Sequence, residues 1–422
     1  MVDQAERFRR SMKLGEVFIP DFPIDSRALF AGRIQQITDI VEAVRRKGRH
    51  IILYGERGVG KTSLAKTFHD FLNPPTEASQ AARTSIVPYV TCDTSDDFSS
   101  IWHKVFRQIE LVQNRPKMGF LSAVDSSIMR LDSKLPKDAR PADIVDLLQF
   151  LASTSSLVIV TIDEFDRIRK KGVTTLFADT IKALSDNAVN TTLILVGVAD
   201  NVTDLIKEHA SAERACAQIP MPRMSPSELG LIITNGLSAV GMRASSDALS
   251  YIVRLSQGLP HYTHLLGLHS ARATVERDET EVSREDVLKA IRKSLDGVQE
   301  SVRSIYHEAT MSSKKTIYPQ VLLACALAQM DDRATFAAGD LRDPLSKIMK
   351  KPYDIPGYSK NLHDLCQSTR GPILQRVGVA KRFRYRFVNP LVQPFIIMHG
   401  LDTRLISESD LVVQGTLALG EL

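Results

Sequence analysis

Residues 51–62, IILYGERGVGKT, decide the fold. Ile51, Ile52, Leu53 and Tyr54 form an apolar run that reads as a buried strand, which breaks into a turn carrying Gly55, Gly58 and Gly60. Glycine at these positions permits a loop whose backbone N–H groups turn inward toward anionic oxygens. A helix is expected to follow from Thr62-Ser63-Leu64, its positive N-terminal end aimed at the same anion. The spacing G-x4-G-K-T is the full phosphate-loop signature, with strand, loop and helix in the required order. Gly55, Glu56, Arg57, Gly58, Val59, Gly60, Lys61, Thr62 and Ser63 are therefore the candidate nucleotide cradle. Lys61 is expected to reach the β- and γ-phosphates of ATP, and the Thr62 hydroxyl to complete the shell of a Mg2+ ion.

Leu157-Val158-Ile159-Val160-Thr161-Ile162 reads as a second fully buried strand, and it delivers Asp163-Glu164 at its carboxyl end. Ligands of open α/β sheets collect at that edge. Asp163 is thus a candidate metal ligand, and Glu164 a candidate base that orients the attacking water. An acidic pair after a strand can also cap a helix; the upstream phosphate loop favours the metal. Thr192 to Val198 is again strand-like, and its end, Ala199-Asp200-Asn201, offers Asp200 or Asn201 as the residue that senses the γ-phosphate. Strands alternating with helices in this rhythm predict an α/β fold with a parallel, three-layered sheet.

Composition sets the class. The 422 residues are 43% hydrophobic and 24% charged, an ordinary globular balance with room for two or three domains. A net charge of +5 and a pI near 8.9 permit a nucleic-acid partner without requiring one. Cys92, Cys216, Cys325 and Cys366 form no CxxC pair, which argues against a disulfide framework or a zinc site and fits a reducing cytosol. With no signal peptide and no apolar run of membrane-spanning length, a cytoplasmic protein is expected.

The expected organisation is a leader over 1–29, a nucleotide-binding domain over 30–223, a helical lid over 224–297, a winged-helix domain over 300–405 and a tail over 406–422. The leader, with Pro20 and Pro23, is expected to lie extended over the first domain. Arg33 begins a helix carrying Ile34, Ile37, Ile40, Val41 and Val44, and on its own reads equally as a surface cation. Trp102 is expected in the core. Residues 113–141 give no clear pattern. Arg214 closes a short helix before a strand. Ser225-Pro226-Ser227-Glu228 is a capping box that opens the lid. His261, His264 and His269 lack accompanying ligands at metal spacing and read as core or rim residues. In the last hundred residues, helices over 318–330, 336–349 and 359–368 precede two strands. Alternation in the second puts Phe383, Tyr385 and Phe387 on one face, and Arg382, Arg384 and Arg386 on the other. Three helices and a basic ribbon are the parts of a winged helix, whose arginine face could neutralise the phosphates of double-stranded DNA or face a protein.

Phe30-Ala31-Gly32-Arg33, the phosphate loop, Asp163-Glu164, Arg214 and Gly258-Leu259-Pro260 together resemble an AAA+ ATPase of the origin-recognition and initiator clade, over roughly residues 28–400. The resemblance implies that Arg33 lies near the adenine, that Asp200 or Asn201 is sensor 1, and that Arg214 is a finger inserted into a neighbouring subunit's site. It also implies homo- or hetero-oligomers gated by ATP, assembled on DNA. The clade has arginine right after the lid's Gly-x-Pro, where this chain has His261, a weaker contact for a γ-phosphate. Residues 209–229 are also similar to bacterial transposition-regulator ATPases, and the whole chain has a bacterial character.

Overall fold

A computed structural model describes residues 4–24, 29–72, 85–116, 124–155, 157–199, 205, 210–314, 316–379 and 382–411. The leader is not extended: Gln4–Val17 is a helix, α1. No proline interrupts it before Pro20, and Arg, Lys, Glu and Leu favour helix. It lies on the lid rather than on the first domain. Arg7 Nε donates to Asp278 Oδ1 across 2.6 Å, and Leu14 is buried.

The phosphate-loop domain begins with α2, Ile34–Val44, and β1, His50–Gly55, followed by α3, Lys61–Thr67. Pro88 separates two short strands, β2, Ser85–Ile86, and β3, Tyr89–Thr91. Asp97 caps α4, Phe98–Arg107, by accepting the Ser100 N–H. Residues 113–141, unreadable in sequence, contain most of an antiparallel hairpin of β4, Glu110–Pro116, and β5, Val124–Arg130. Next come α5, Pro141–Thr154; β6, Leu157–Asp163; α6, Val173–Asp186; and β7, Thr191–Val198. Helix α7, Ala210–Ala215, leads into β8, Cys216–Pro220.

Among the described residues the sheet runs β2-β6-β7-β1-β8, all parallel, with β3 also pairing β6. Strands β6, β7 and β1 are interior and covered on both faces, which is why their sequences run apolar without alternation. Trp102 is buried against Phe106 and Phe177, with ring centroids 5.6 and 5.8 Å away, so it belongs to the core as expected.

The lid comprises α8, Pro226–Ala239; β9, Arg243–Ala244; α9, Ser246–Ser256; α10, Pro260–Glu276; β10, Glu281–Val282; and α11, Arg284–Gly297. Phe18, just past α1, is keyed into it. A Cβ at Gly236 would meet Phe18 Cζ at 2.6 Å, and one at Gly267 would meet Cε1 at 2.8 Å, so both glycines make the room.

Helix α12, Glu300–Thr310, joins the lid to the C-terminal domain. There α13, Tyr318–Ala326, is shorter than the expected helix. The expected second helix instead begins as a strand, β11, Phe336–Ala337, and becomes α14 only at Arg342–Met349. Helix α15, Ser359–Asp364, then β12, Leu374–Val377, and β13, Arg384–Phe387, complete a winged helix whose sheet has order β11-β13-β12. Helices α16, Val392–Asp402, and α17, Glu408–Leu411, close the described chain.

Candidate nucleotide and metal site

The phosphate loop leaves the carboxyl end of β1 through glycines with positive φ: Gly55 at 155°, Gly58 at 85° and Gly60 at 93°. Only glycine adopts such angles without strain. Lys61 opens α3 and is buried. Its Nζ donates to Gly55 O across 3.0 Å and Glu56 O across 2.7 Å. Burial pulls the ammonium down to about 8, while Asp166, Asp163 and Glu56 act in the opposite direction.

Asp163 ends β6 beside this loop. Its Oδ2 accepts from the Thr62 hydroxyl at 2.8 Å and from the Tyr89 phenol, and its Oδ1 accepts the Glu164 N–H at 2.7 Å. Burial and the adjacent Asp163 carboxylate push the Tyr89 phenol far up. Glu164 diverges from its neighbour. Its φ is 54°, and its half-exposed carboxylate pairs with Arg167 Nη1 at 2.7 Å. The next acid, Asp166, accepts the Val198 N–H at 2.8 Å and so ties the end of β7 to the same edge. Asp200 and Asn201 lie outside the described residues.

Arg33 is not a surface cation. It adopts φ 60° at the start of α2 and is buried, with its Nη2 donating to Val59 O at 2.8 Å and Pro222 O at 2.7 Å. Its backbone N–H reaches Glu228 Oε1 of the lid at 2.8 Å. Burial lowers its affinity for the proton, partly offset by Glu228. Arg33 therefore braces the phosphate loop against the segment that joins sheet and lid.

His261 Nδ1–H donates to Pro20 O across 2.8 Å, and burial holds the imidazole below its ordinary range. The leader continues to α3, where the Ile24 N–H donates to Ser63 Oγ at 3.1 Å. His261 thus latches the leader to the lid. His264 is in the core, as expected, and no cluster of potential metal ligands occurs among the described residues.

Arg214 is exposed at the other end of the sheet. In the β1–β8 register His50 faces Cys216 and Tyr54 faces Pro220, so Arg214 lies near the amino end of β1 while the phosphate loop leaves its carboxyl end. A strand of this length spans roughly 17–20 Å. Arg214 therefore belongs to a different face of the domain from its own chain's Lys61.

The basic ribbon differs from its expected form. Arg384 donates to Thr335 Oγ1 at 2.5 Å and Thr335 O at 2.7 Å, and pairs with Asp331 at 3.1 Å. Arg386 donates to Gln375 Oε1 at 2.9 and 3.1 Å. Arg384 is not the free cation that alternation suggested, because β11 and the turn before it bring an acid and a carbonyl alongside. Arg382 is exposed.

Sequence reasoning missed two residues. Tyr89 sat in an unremarkable strand, and only the register of β3 with β6 carries it to Asp163. Arg223 sits where strand β8 gives way to the lid. Its Nε donates to Glu56 Oε2 at 2.8 Å, and its Nη1 to Gln257 O at 3.2 Å and Gln393 Oε1 at 2.6 Å.

Residues 44–206 match a family described as AAA domain. No curated protein matches the chain. Among solved structures, the ORC2 protein of Aeropyrum pernix is similar at 15% identity and TM-score 0.50, over 92% of this chain and 97% of its own. A Walker-type ATPase of Pyrococcus abyssi is 16% identical with TM-score 0.49, over 89% and 98%. The A. pernix ORC1 protein in complex with DNA is 16% identical with TM-score 0.47, over 92% and 97%. Residues 44–206 thus match an AAA domain, and the chain shares the fold of the ORC2 protein: a parallel-sheet phosphate-loop domain, followed by a helical lid and a winged-helix domain.

Proposed function

We propose that the protein binds and hydrolyses ATP as a switch that assembles with nucleotide at subunit interfaces. In this reading its winged helix engages double-stranded DNA, where it recruits or remodels a partner. The observation that carries the ATPase reading is the convergence of Lys61, the Thr62 hydroxyl and the Asp163 carboxylate at the mouth of one glycine loop. Thr62 and Asp163 are hard oxygen donors already within 2.8 Å of each other, a donor set that suits Mg2+. Bound there, Mg2+ would neutralise charge on the phosphates. Lys61 would hold the phosphate oxygens and Glu164 would orient water, once its carboxylate leaves Arg167. Asp200 or Asn201 would sense the γ-phosphate, and Arg33 would hold the loop at the nucleotide's edge.

The test is ATP binding and turnover by the full chain. Lys61→Ala should abolish binding, and Glu164→Gln should bind ATP yet fail to hydrolyse it. Full turnover by the Glu164→Gln protein would remove that assignment.

A second reading makes the protein a defence or signalling ATPase whose winged helix grips a protein effector. The engagement of Arg384 by Asp331 and Thr335 favours it, because that cation is already partnered. Duplex DNA affinity measured across salt separates the two readings. DNA contact by Arg382 and Arg386 predicts a steep salt dependence that flattens when both are substituted. No binding at low salt would favour the effector.

A further inference from the structure

Arg223 joins three parts of the molecule. The guanidinium holds the Glu56 carboxylate of the phosphate loop at 2.8 Å, the Gln257 carbonyl of the lid at 3.2 Å, and the Gln393 side chain at the start of α16 at 2.6 Å. Gln393 is itself fixed. It is buried, and its Nε2 donates to Gln257 Oε1 and Ala326 O, each at 3.0 Å. Two more contacts seat the C-terminal domain at the same place. Tyr262 OH donates to Leu391 O at 2.5 Å, and a Cβ added to Gly58 would meet Leu391 Cδ2 at 2.9 Å.

Glu56 is therefore held at both ends, its carbonyl by Lys61 at 2.7 Å and its carboxylate by Arg223 at 2.8 Å. An acid inside a phosphate cradle opposes polyanion binding unless it is neutralised, and the opposition grows with ligand charge. A partly buried carboxylate that loses its cation also costs stability in the loop.

We propose that Arg223 is a positioning residue that neutralises Glu56 and, through Gln393, makes triphosphate affinity depend on the seating of the C-terminal domain on the phosphate loop. The assignment rests on the nucleotide-binding reading above. It gives the site a route by which occupancy and the placement of the winged-helix domain are linked, and such linkage runs equally in both directions.

Calorimetric titration of the full chain with a non-hydrolysable ATP analogue and with ADP tests it. Arg223→Ala should weaken the triphosphate about tenfold or more, and ADP clearly less, within the usual range of coupling between sites. Adding Glu56→Gln to Arg223→Ala should restore most of the loss, which a merely structural role for Arg223 would not allow. Reciprocally, the triphosphate analogue should slow amide exchange in α16 of the unaltered protein and not of Arg223→Ala. Equal losses for both nucleotides, with no recovery from Glu56→Gln, would overturn the assignment, as would exchange in α16 that ignores the nucleotide. If the unaltered chain bound neither nucleotide, the nucleotide reading itself would fall; binding without the differential effect removes Arg223 alone.

Discussion

The Thr62 hydroxyl donates to Asp163 Oδ2 across 2.8 Å, although 101 residues separate the two in the chain. Strand β6 delivers the carboxylate, and the loop after β1 delivers the hydroxyl. Replacing Thr62 with Val keeps the shape and removes the oxygen. Nucleotide affinity measured with Mg2+ and with a chelator should then converge, and turnover should drop about a hundredfold or more. A Mg2+ effect of unchanged size in Thr62→Val would show that the hydroxyl is not part of the metal's shell.

Arg214 and the phosphate loop lie toward opposite ends of the β1–β8 pair, so Arg214 does not reach its own chain's site, and a finger role for it requires a second subunit. Mixing Arg214→Ala with Lys61→Ala protein should restore part of the ATPase activity, since some interfaces then combine an intact loop with an intact finger. Absence of rescue at every mixing ratio counts against a role in trans.

His50 and His264 are buried and held down to about 4 by that burial. The unfolded chain therefore binds more protons than the folded one between pH 6.5 and 4. Stability contributed by the neutral rings is complete above the unfolded value near 6.5 and is lost as pH falls toward 4, by about 3 kcal/mol for each ring. Urea unfolding from pH 7.5 to 4 should show this decline, with a shallower slope in His264→Leu.

Arg384 and Arg382 sit two residues apart, yet they are expected to respond differently. Arg384→Ala removes an ion pair to Asp331, which keeps the Arg333 and Thr335 donors, and the hydrogen bond to the Thr335 carbonyl, and should destabilise the protein by about 0.5–1.5 kcal/mol. Arg382→Ala, at an exposed position, should leave the melting temperature unchanged and alter only DNA affinity. Thermal melts beside DNA titrations distinguish them.

Phe18 fills a socket formed at Gly236 and Gly267. Phe18→Ala should cost about 3–5 kcal/mol, as for other buried aromatics, and should free the leader from the lid. Melting temperature reports the first effect, and faster exchange of the Ile24 amide bonded to Ser63 reports the second.

Local sequence determined a good deal. The phosphate loop, the strands that carry Gly55 and Asp163, the capped helix α8 and the helical character of the lid were all legible. Each depends on backbone propensity, capping and uninterrupted apolar runs, which act over a few residues. The hairpin of β4 and β5 was not legible, because its strands lack apolar alternation and are defined by pairing with each other. Tertiary structure alone decided what the polar side chains do. Arg33, a solvent cation or a nucleotide-edge residue by sequence, became a buried brace on Val59 and Pro222, and Arg384 was claimed by Asp331 and Thr335. His261 turned to the leader's Pro20, and Arg223 gathered Glu56, Gln257 and Gln393. The physical reason is common to all four: a long or polar side chain takes the partner that packing brings within about 3 Å, and those partners come from segments far away in the chain.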